Sequence, residues 1–224
     1  VWVTLLVTSL VTLAALALPV DWKALGVACV FLGSTYWLVI RSNDTEDIAR
    51  HGLSLAGLTG LEPLDGRQLL REGGRAATWS LATAAVIFPA FWLGFIVWHA
   101  PAGGFTLPPL APFAEDALGQ LLVVALPEEA FYRGYLQTAL EKRRPATLRL
   151  LGAHVGSAIL LTSALFAAGH FATEPHVTRL AVFFPSLVFG WLRARTGGIG
   201  ASIGFHALCN LFASFLLRGY GLVP

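Results

Sequence analysis

Apolar runs of about twenty residues recur along this 224-residue chain. About twenty such residues are what a helix needs to cross a bilayer core. Lipid offers no hydrogen bonds, so the backbone of each run must satisfy its own polar groups, and a helix does so within one segment. Seven candidate spans cover approximately 2–20, 24–40, 77–99, 117–140, 150–171, 177–194 and 198–217. Charged residues make up only 12% of the chain, against about a quarter in a soluble domain. These runs predict an all-α, polytopic membrane protein of about seven transmembrane helices. The first run lacks the charged leading region of a signal peptide and suits a span better. Trp2, Trp22, Trp37, Trp79, Trp98 and Trp191 fall near predicted segment ends, as interfacial aromatics do. Cys29 and Cys209 both lie in apolar runs, without metal spacing, and are read as small core hydrophobes.

Between the runs, the longest polar stretch covers about 41–75 and is expected to form one or two amphipathic helices on the membrane surface. It holds five arginines; the loop 141–149 holds Lys142, Arg143, Arg144 and Arg149; Arg193 and Arg195 mark another helix end. Residues 100–116 carry no basic residue. Seven alternating helices put all three basic regions on one side, which the positive-inside rule assigns to the cytoplasm, with the N-terminus inside. The expected organisation is a set of N-terminal membrane helices over 1–115, with a cytoplasmic polar loop at about 41–76, followed by a core over 116–218. A net charge of +2 with no dense basic stripe excludes nucleic acid as a partner.

Against this background two acids stand out in "LPEEAFYRGYL". Every aspartate, and the glutamates at 46, 62, 72, 115, 141 and 174, lie outside the predicted spans or at their edges. Glu128 and Glu129 fall near the middle of one. A charge there costs about 2.5–3.5 kcal/mol on insertion scales and is by default a functional hypothesis. Glu129 and Arg133 are four residues apart, so they share a helix face and can pair. Glu128 is rotated by about 100° and finds Tyr132 at the same spacing, so it must meet something from another helix. Three intramembrane polar residues are available: His170, four residues after Phe166, and His206 with Asn210, also four apart. Singly, each is more often a satisfied core residue or interhelical glue. Together they have the parts for water attack on an amide. Glu128 can act as base and His170 can share the water. His206 and Asn210 can present donors to the oxyanion. Gly198, Gly200 and Gly204 would let the last helix approach its neighbours closely.

These motifs resemble the CPBP family, which comprises CAAX prenyl proteases and bacteriocin-processing enzymes and is also called the Abi family. Its pattern of Glu-Glu-x-x-x-Arg, Phe-x-x-x-His and His-x-x-x-Asn reads here as "EEAFYR" from Glu128 to Arg133, "FAAGH" from Phe166 to His170 and "HALCN" from His206 to Asn210. The resemblance covers about 120–215. It implies an intramembrane glutamic endopeptidase with Glu128 as base, His170 helping to activate water, and an oxyanion site at His206 and Asn210. It places Glu129 and Arg133 in support of the site, with Phe166 beside them. Family members often have eight spans, so the count here is seven or eight, enclosing an intramembrane polar site. The implied partners are membrane lipids and a membrane-associated protein or peptide, with a prenylated, lipid-anchored or C-terminal sorting segment as substrate. The Ala-, Leu-, Gly- and Arg-rich composition points to a bacterial cytoplasmic membrane. No cofactor is expected. Zinc is the alternative, although no His-Glu-x-x-His signature is present. A non-enzymatic membrane scaffold, an immunity protein or a small transporter is the alternative of another class, and no inverted repeat favours transport.

Overall fold

The computed structural model describes residues 2–54 and 63–223. Among the described residues the chain forms eight helices and one short hairpin. Helices α1 (Trp2–Ala17) and α2 (Val20–Leu38) pack together, and a tight turn at Ile40–Ser42 extends α2. The short α3 (Thr45–Arg50) starts at Asp44, whose carboxylate accepts from the backbone N–H of Glu46 and Asp47. Asp65 caps α4 (Gly66–His99) in the same way. Helix α5 runs without a break over 111–141, and β1 (Leu148–Leu150) pairs with β2 (Ala153–Val155). After them come α6 (Ser157–Thr173), α7 (Phe183–Thr196) with a 3-10 helical lead-in at Val177–Val182, and α8 (Gly200–Gly219).

Among the described residues, four stretches are long and apolar enough to cross a membrane: Val20–Ser42, Gly66–His99, Val177–Thr196 and Gly200–Gly219. The apolar α1 and α6 are shorter, at 16 and 17 residues, so each reaches only about 25 Å at 1.5 Å per residue. The protein is an all-α polytopic membrane protein. Several of the expected boundaries move, two of them furthest. The span expected at 77–99 belongs to a helix that begins at Gly66, because the Asp65 cap starts it in the polar stretch. Hydropathy marks only the apolar part of such a helix. Trp79 accordingly lies well inside α4, edge-on to Trp191 and under the Arg195 guanidinium.

The span expected from 150 begins at Ser157 instead. Leu151 and Gly152, both with positive φ, turn the preceding Leu-rich segment into a hairpin. Trp191 Nε1 donates to the Leu150 carbonyl at 3.0 Å and holds the hairpin against α7. A short apolar run does not by its period distinguish strand from helix. Of the amphipathic helices expected over 41–75, α3 and the first turns of α4 are present; residues 55–62, Glu62 among them, lie outside the described residues.

Helix α5 occupies the middle of the molecule. It winds as a π-helix at Gln120–Ala125 and again at Ala130–Gln137, on either side of the α-helical turn Leu126–Glu129. Such local widening is frequent at functional sites. Phe31, Phe131, Tyr132, Phe166, Phe189 and Phe205 pack around it as one aromatic-rich core. Helix α8 closes on α4, where a Cβ on Gly204 would lie 2.5 Å from Ser80 Oγ and one on Gly200 would lie 3.1 Å from Ala76. Ser80 Oγ donates to the Ala201 carbonyl across this contact at 2.9 Å. Gly198 makes no comparable approach. Cys209 packs partly buried against the core, but Cys29 is exposed on the outer face of α2 and is not a core residue.

Candidate active site

The turn Leu126–Glu129 presents its two acids in different directions. Glu129 points inward and is fully buried. Its Oε1 accepts from Arg133 Nη1 at 2.9 Å, which is the four-residue pairing that the spacing predicts. The same oxygen bonds His206 Nδ1, also at 2.9 Å, so this acid reaches a second helix as well. Arg133 is equally buried; its Nη2 donates to Ser186 Oγ at 2.6 Å and to the Ser186 carbonyl at 3.2 Å. The guanidinium lies 4.6 Å from the Phe166 ring centre and 4.9 Å from that of Phe189. Those rings exclude water while their electron-rich faces meet the cation. Phe189 also stacks on the His206 ring, 4.7 Å between centroids and 13° from parallel.

Glu128 faces the two histidines. Its Oε2 lies 3.9 Å from His170 Nε2 and 3.8 Å from His206 Nε2. Both separations are too long for a direct hydrogen bond. The other nitrogen of each ring is committed: His170 Nδ1 to the Phe166 carbonyl at 3.1 Å, and His206 Nδ1 to the Glu129 carboxylate. Both partners only accept, so each Nδ1 carries a hydrogen, and in a neutral ring the Nε2 lone pair is turned toward Glu128. Glu128 and His170 keep partial exposure, 13% and 21% of their side chains, whereas Glu129 and Arg133 keep none. The site is therefore sealed behind Glu129, while Glu128 and His170 are partly exposed, although the Glu128 Oε2 that faces the two rings is itself buried without a hydrogen-bond partner among the described residues.

Asn210 lies one helical turn beyond His206 on α8. Its Nδ2 donates to Gln120 Oε1 at 2.9 Å, which uses one of its two amide hydrogens. Glu128, Glu129, Arg133, Phe166, His170 and His206 thus form one continuous cluster, and Asn210 lies one turn from it on α8, tied to α5 at Gln120. Among the described residues no group of three or more His, Cys, Asp or Glu side chains is gathered tightly enough to hold a metal ion. Three residues of this network carry no mark in the motifs: Ser186, Phe189 and Gln120. Gln120 had a usable signal, being one of two amides, with Gln137, in the predicted span that carries the two acids. Ser186 and Phe189 sit in "FFPSLVFGW", where neither is unusual.

Residues 111–212 match the family described as Rce1-like, type II CAAX prenyl endopeptidase Rce1-like. No curated protein and no solved structure matches the chain.

Proposed function

We propose, from the match of residues 111–212 to the CAAX prenyl endopeptidase family, that the chain is a membrane protease and, more closely, a glutamic intramembrane endopeptidase in which Glu128 activates the attacking water. The observation that carries the proposal is the pair of distances from Glu128 Oε2, 3.9 Å and 3.8 Å to the two Nε2 atoms. Groups so spaced are well placed to share one water. Glu128 takes a proton from that water as the oxygen attacks the scissile carbonyl carbon. The Glu128 carboxylic acid so formed returns the proton to the amide nitrogen as the C–N bond breaks, leaving a product carboxylic acid and an amine; the acid's remaining proton then passes to the amine, giving a carboxylate and an ammonium.

Hydrogen counting supports a division of roles between the histidines. An ionised Glu128 and two neutral rings offer three acceptors to a water with two hydrogens. One further proton in the cluster turns one ring into a donor. His206 is the ring placed to carry it, because its Nδ1 faces a carboxylate while that of His170 faces a neutral carbonyl. His206 Nε2–H and the second amide hydrogen of Asn210 then serve the developing oxyanion, and His170 keeps the water in line. In this role Glu129, Arg133 and Phe166 hold His206.

Zinc is the competing reading that the geometry raises, since two Nε2 lone pairs and a carboxylate converge with each Nδ1 anchored, as around zinc-bound histidines. The longer spacing of these groups favours water. The substrate we propose is a membrane-associated protein with a lipid-modified C-terminal segment, in keeping with the family's description. The positive-inside pattern favours a bacterial cytoplasmic membrane with the N-terminus inside. Purified protein in liposomes, given a farnesylated peptide of the CAAX type and its unmodified twin, tests both points. Cleavage of the lipidated peptide that persists in 1,10-phenanthroline is expected. Cleavage abolished by the chelator and restored by zinc would replace the glutamic mechanism. A comparison of membrane-protein termini with and without the active enzyme would then identify natural substrates.

A further inference from the structure

We infer that Ser186 is a positioning residue of this site, acting through Arg133 and Glu129 to keep the Nδ1 hydrogen of His206 in place. The inference rests on the endopeptidase reading for its catalytic consequence and on geometry alone for its structural one. Ser186 is fully buried on α7, and its Oγ makes the shortest bond of the cluster, 2.6 Å from Arg133 Nη2. One turn further along both helices, Gln137 Nε2 donates to the Gly190 carbonyl at 3.2 Å. The two rungs, 133 to 186 and 137 to 190, have the same sequence separation of 53 residues and hold α5 and α7 in one register. Only a glycine fits at 190, where a Cβ would lie 2.7 Å from Ile159 Cγ2 and 3.1 Å from Gln137 Oε1.

The hydroxyl matters because of how it divides the Arg133 donors. Nη1 serves Glu129 Oε1 and Nη2 serves Ser186, while Glu129 Oε2 is buried without a hydrogen-bond partner. Without the hydroxyl, Nη2 keeps only its longer bond to the Ser186 carbonyl, 3.2 Å, and its other hydrogen is released toward Glu129 Oε2, so that the arginine grips the carboxylate with both arms. Fork-to-carboxylate pairing of that kind is the stronger geometry. It would turn the carboxylate and weaken Oε1 as the acceptor that fixes His206 Nδ1. Ser186 therefore prevents a tighter ion pair that would cost the site its oriented histidine. A serine serving only as interhelical glue would influence stability and leave His206 unchanged.

The test uses full-length protein in detergent micelles with 15N-labelled histidine at neutral pH. In the native protein His206 Nδ1 is expected as a single, protonated, hydrogen-bonded nitrogen. In Ser186→Ala it is expected to divide between protonated and bare forms, and kcat on a peptide that the native enzyme cleaves should fall by about tenfold with KM unchanged, in the range of outer-layer substitutions. Ser186→Thr, which keeps the hydroxyl, should restore both. A bare Nδ1 in the native protein overturns the inference, and that arm needs no variant. So does a Ser186→Ala protein with the native His206 signal and native kcat, or one that fails to fold, which would make Ser186 a packing residue. The spectrum requires no turnover. A native His206 signal in a protein that cleaves nothing would therefore count against the endopeptidase reading alone.

Discussion

Two clusters of charge tie α5 to its neighbours, one at the middle of the molecule and one at its edge. At the middle, Glu129 binds Arg133 and His206 with no exposure at any of the hydrogen-bonding carboxylate and guanidinium groups. At the edge, Asp47 on α3 accepts from Lys142, just beyond α5, at 3.2 Å and from Arg50 at 3.4 Å. Its second oxygen lies 3.4 Å from His51 Nδ1, which is itself 2.7 Å from the Asp47 carbonyl. Arg193 reaches from α7 to the Arg50 carbonyl at 2.7 Å. The residue types are similar and so are the distances. What differs is water: Lys142 and Arg50 are each about half exposed. A charge removed from the centre strands its partner in low dielectric, whereas one removed from the edge leaves a partner that water can solvate.

The largest effect expected from this contrast is at the centre. Glu129→Ala or Arg133→Ala should destabilise the protein by about 3–5 kcal/mol, with loss of activity, because each leaves an uncompensated buried charge. Thermal unfolding in detergent measures it; an unchanged melting temperature would mean that the centre is as well solvated as the edge.

A smaller effect should follow pH at the edge, which lies outside the four long spans. Burial holds His51 below its ordinary 6.5, in spite of Asp47 beside it. Partial burial pushes the Asp47 carboxyl up, but its bond to Lys142 and the neighbouring His51, Lys142 and Arg50 charges leave it below 3.8. Both groups have folded values below their unfolded ones. Their contributions are thus complete above the unfolded values and are lost as pH falls through the folded ones. The protection factors of the amides in 45–54, with the intrinsic pH dependence of exchange divided out, should be constant above about pH 6.5 and should fall below it, first through His51. His51→Gln should remove that first step, and protection factors that stay flat into acid would refute the assignment.

The smallest effect belongs to Lys142→Ala. Its loss should cost under about 1 kcal/mol in thermal unfolding and disappear in high salt. A larger cost, insensitive to salt, would place the edge cluster with the centre and erase the distinction.

The same contrast explains which parts of the molecule were legible beforehand. A bilayer makes charge conspicuous, so Glu128, Glu129 and Arg133 could be picked out, and four-residue spacing was enough to pair two of them. Apolar length made the membrane helices visible, but it could not show that Asp65 starts α4 early or that Leu151 and Gly152 turn a Leu-rich run into a hairpin. The π-helical turns beside Glu128 leave no period in so apolar a segment. Ser186 was hidden for a different reason. A hydroxyl in a membrane helix can bond its own backbone at little cost, so its presence signals nothing until Arg133, 53 residues away, is seen against it. The second partner of Glu129, His206, is 77 residues away and is likewise a product of tertiary packing.

The claim that matters most is that Glu128 and Glu129, adjacent in sequence, have separate work: Glu128 the chemistry and Glu129 the support. Glu128→Gln keeps the shape of the side chain and removes the base. Its kcat, measured in liposomes on a peptide that the native enzyme cleaves, should fall by at least about 100-fold while the melting temperature stays native. A folded Glu128→Gln protein that cleaves at the native rate would contradict the account.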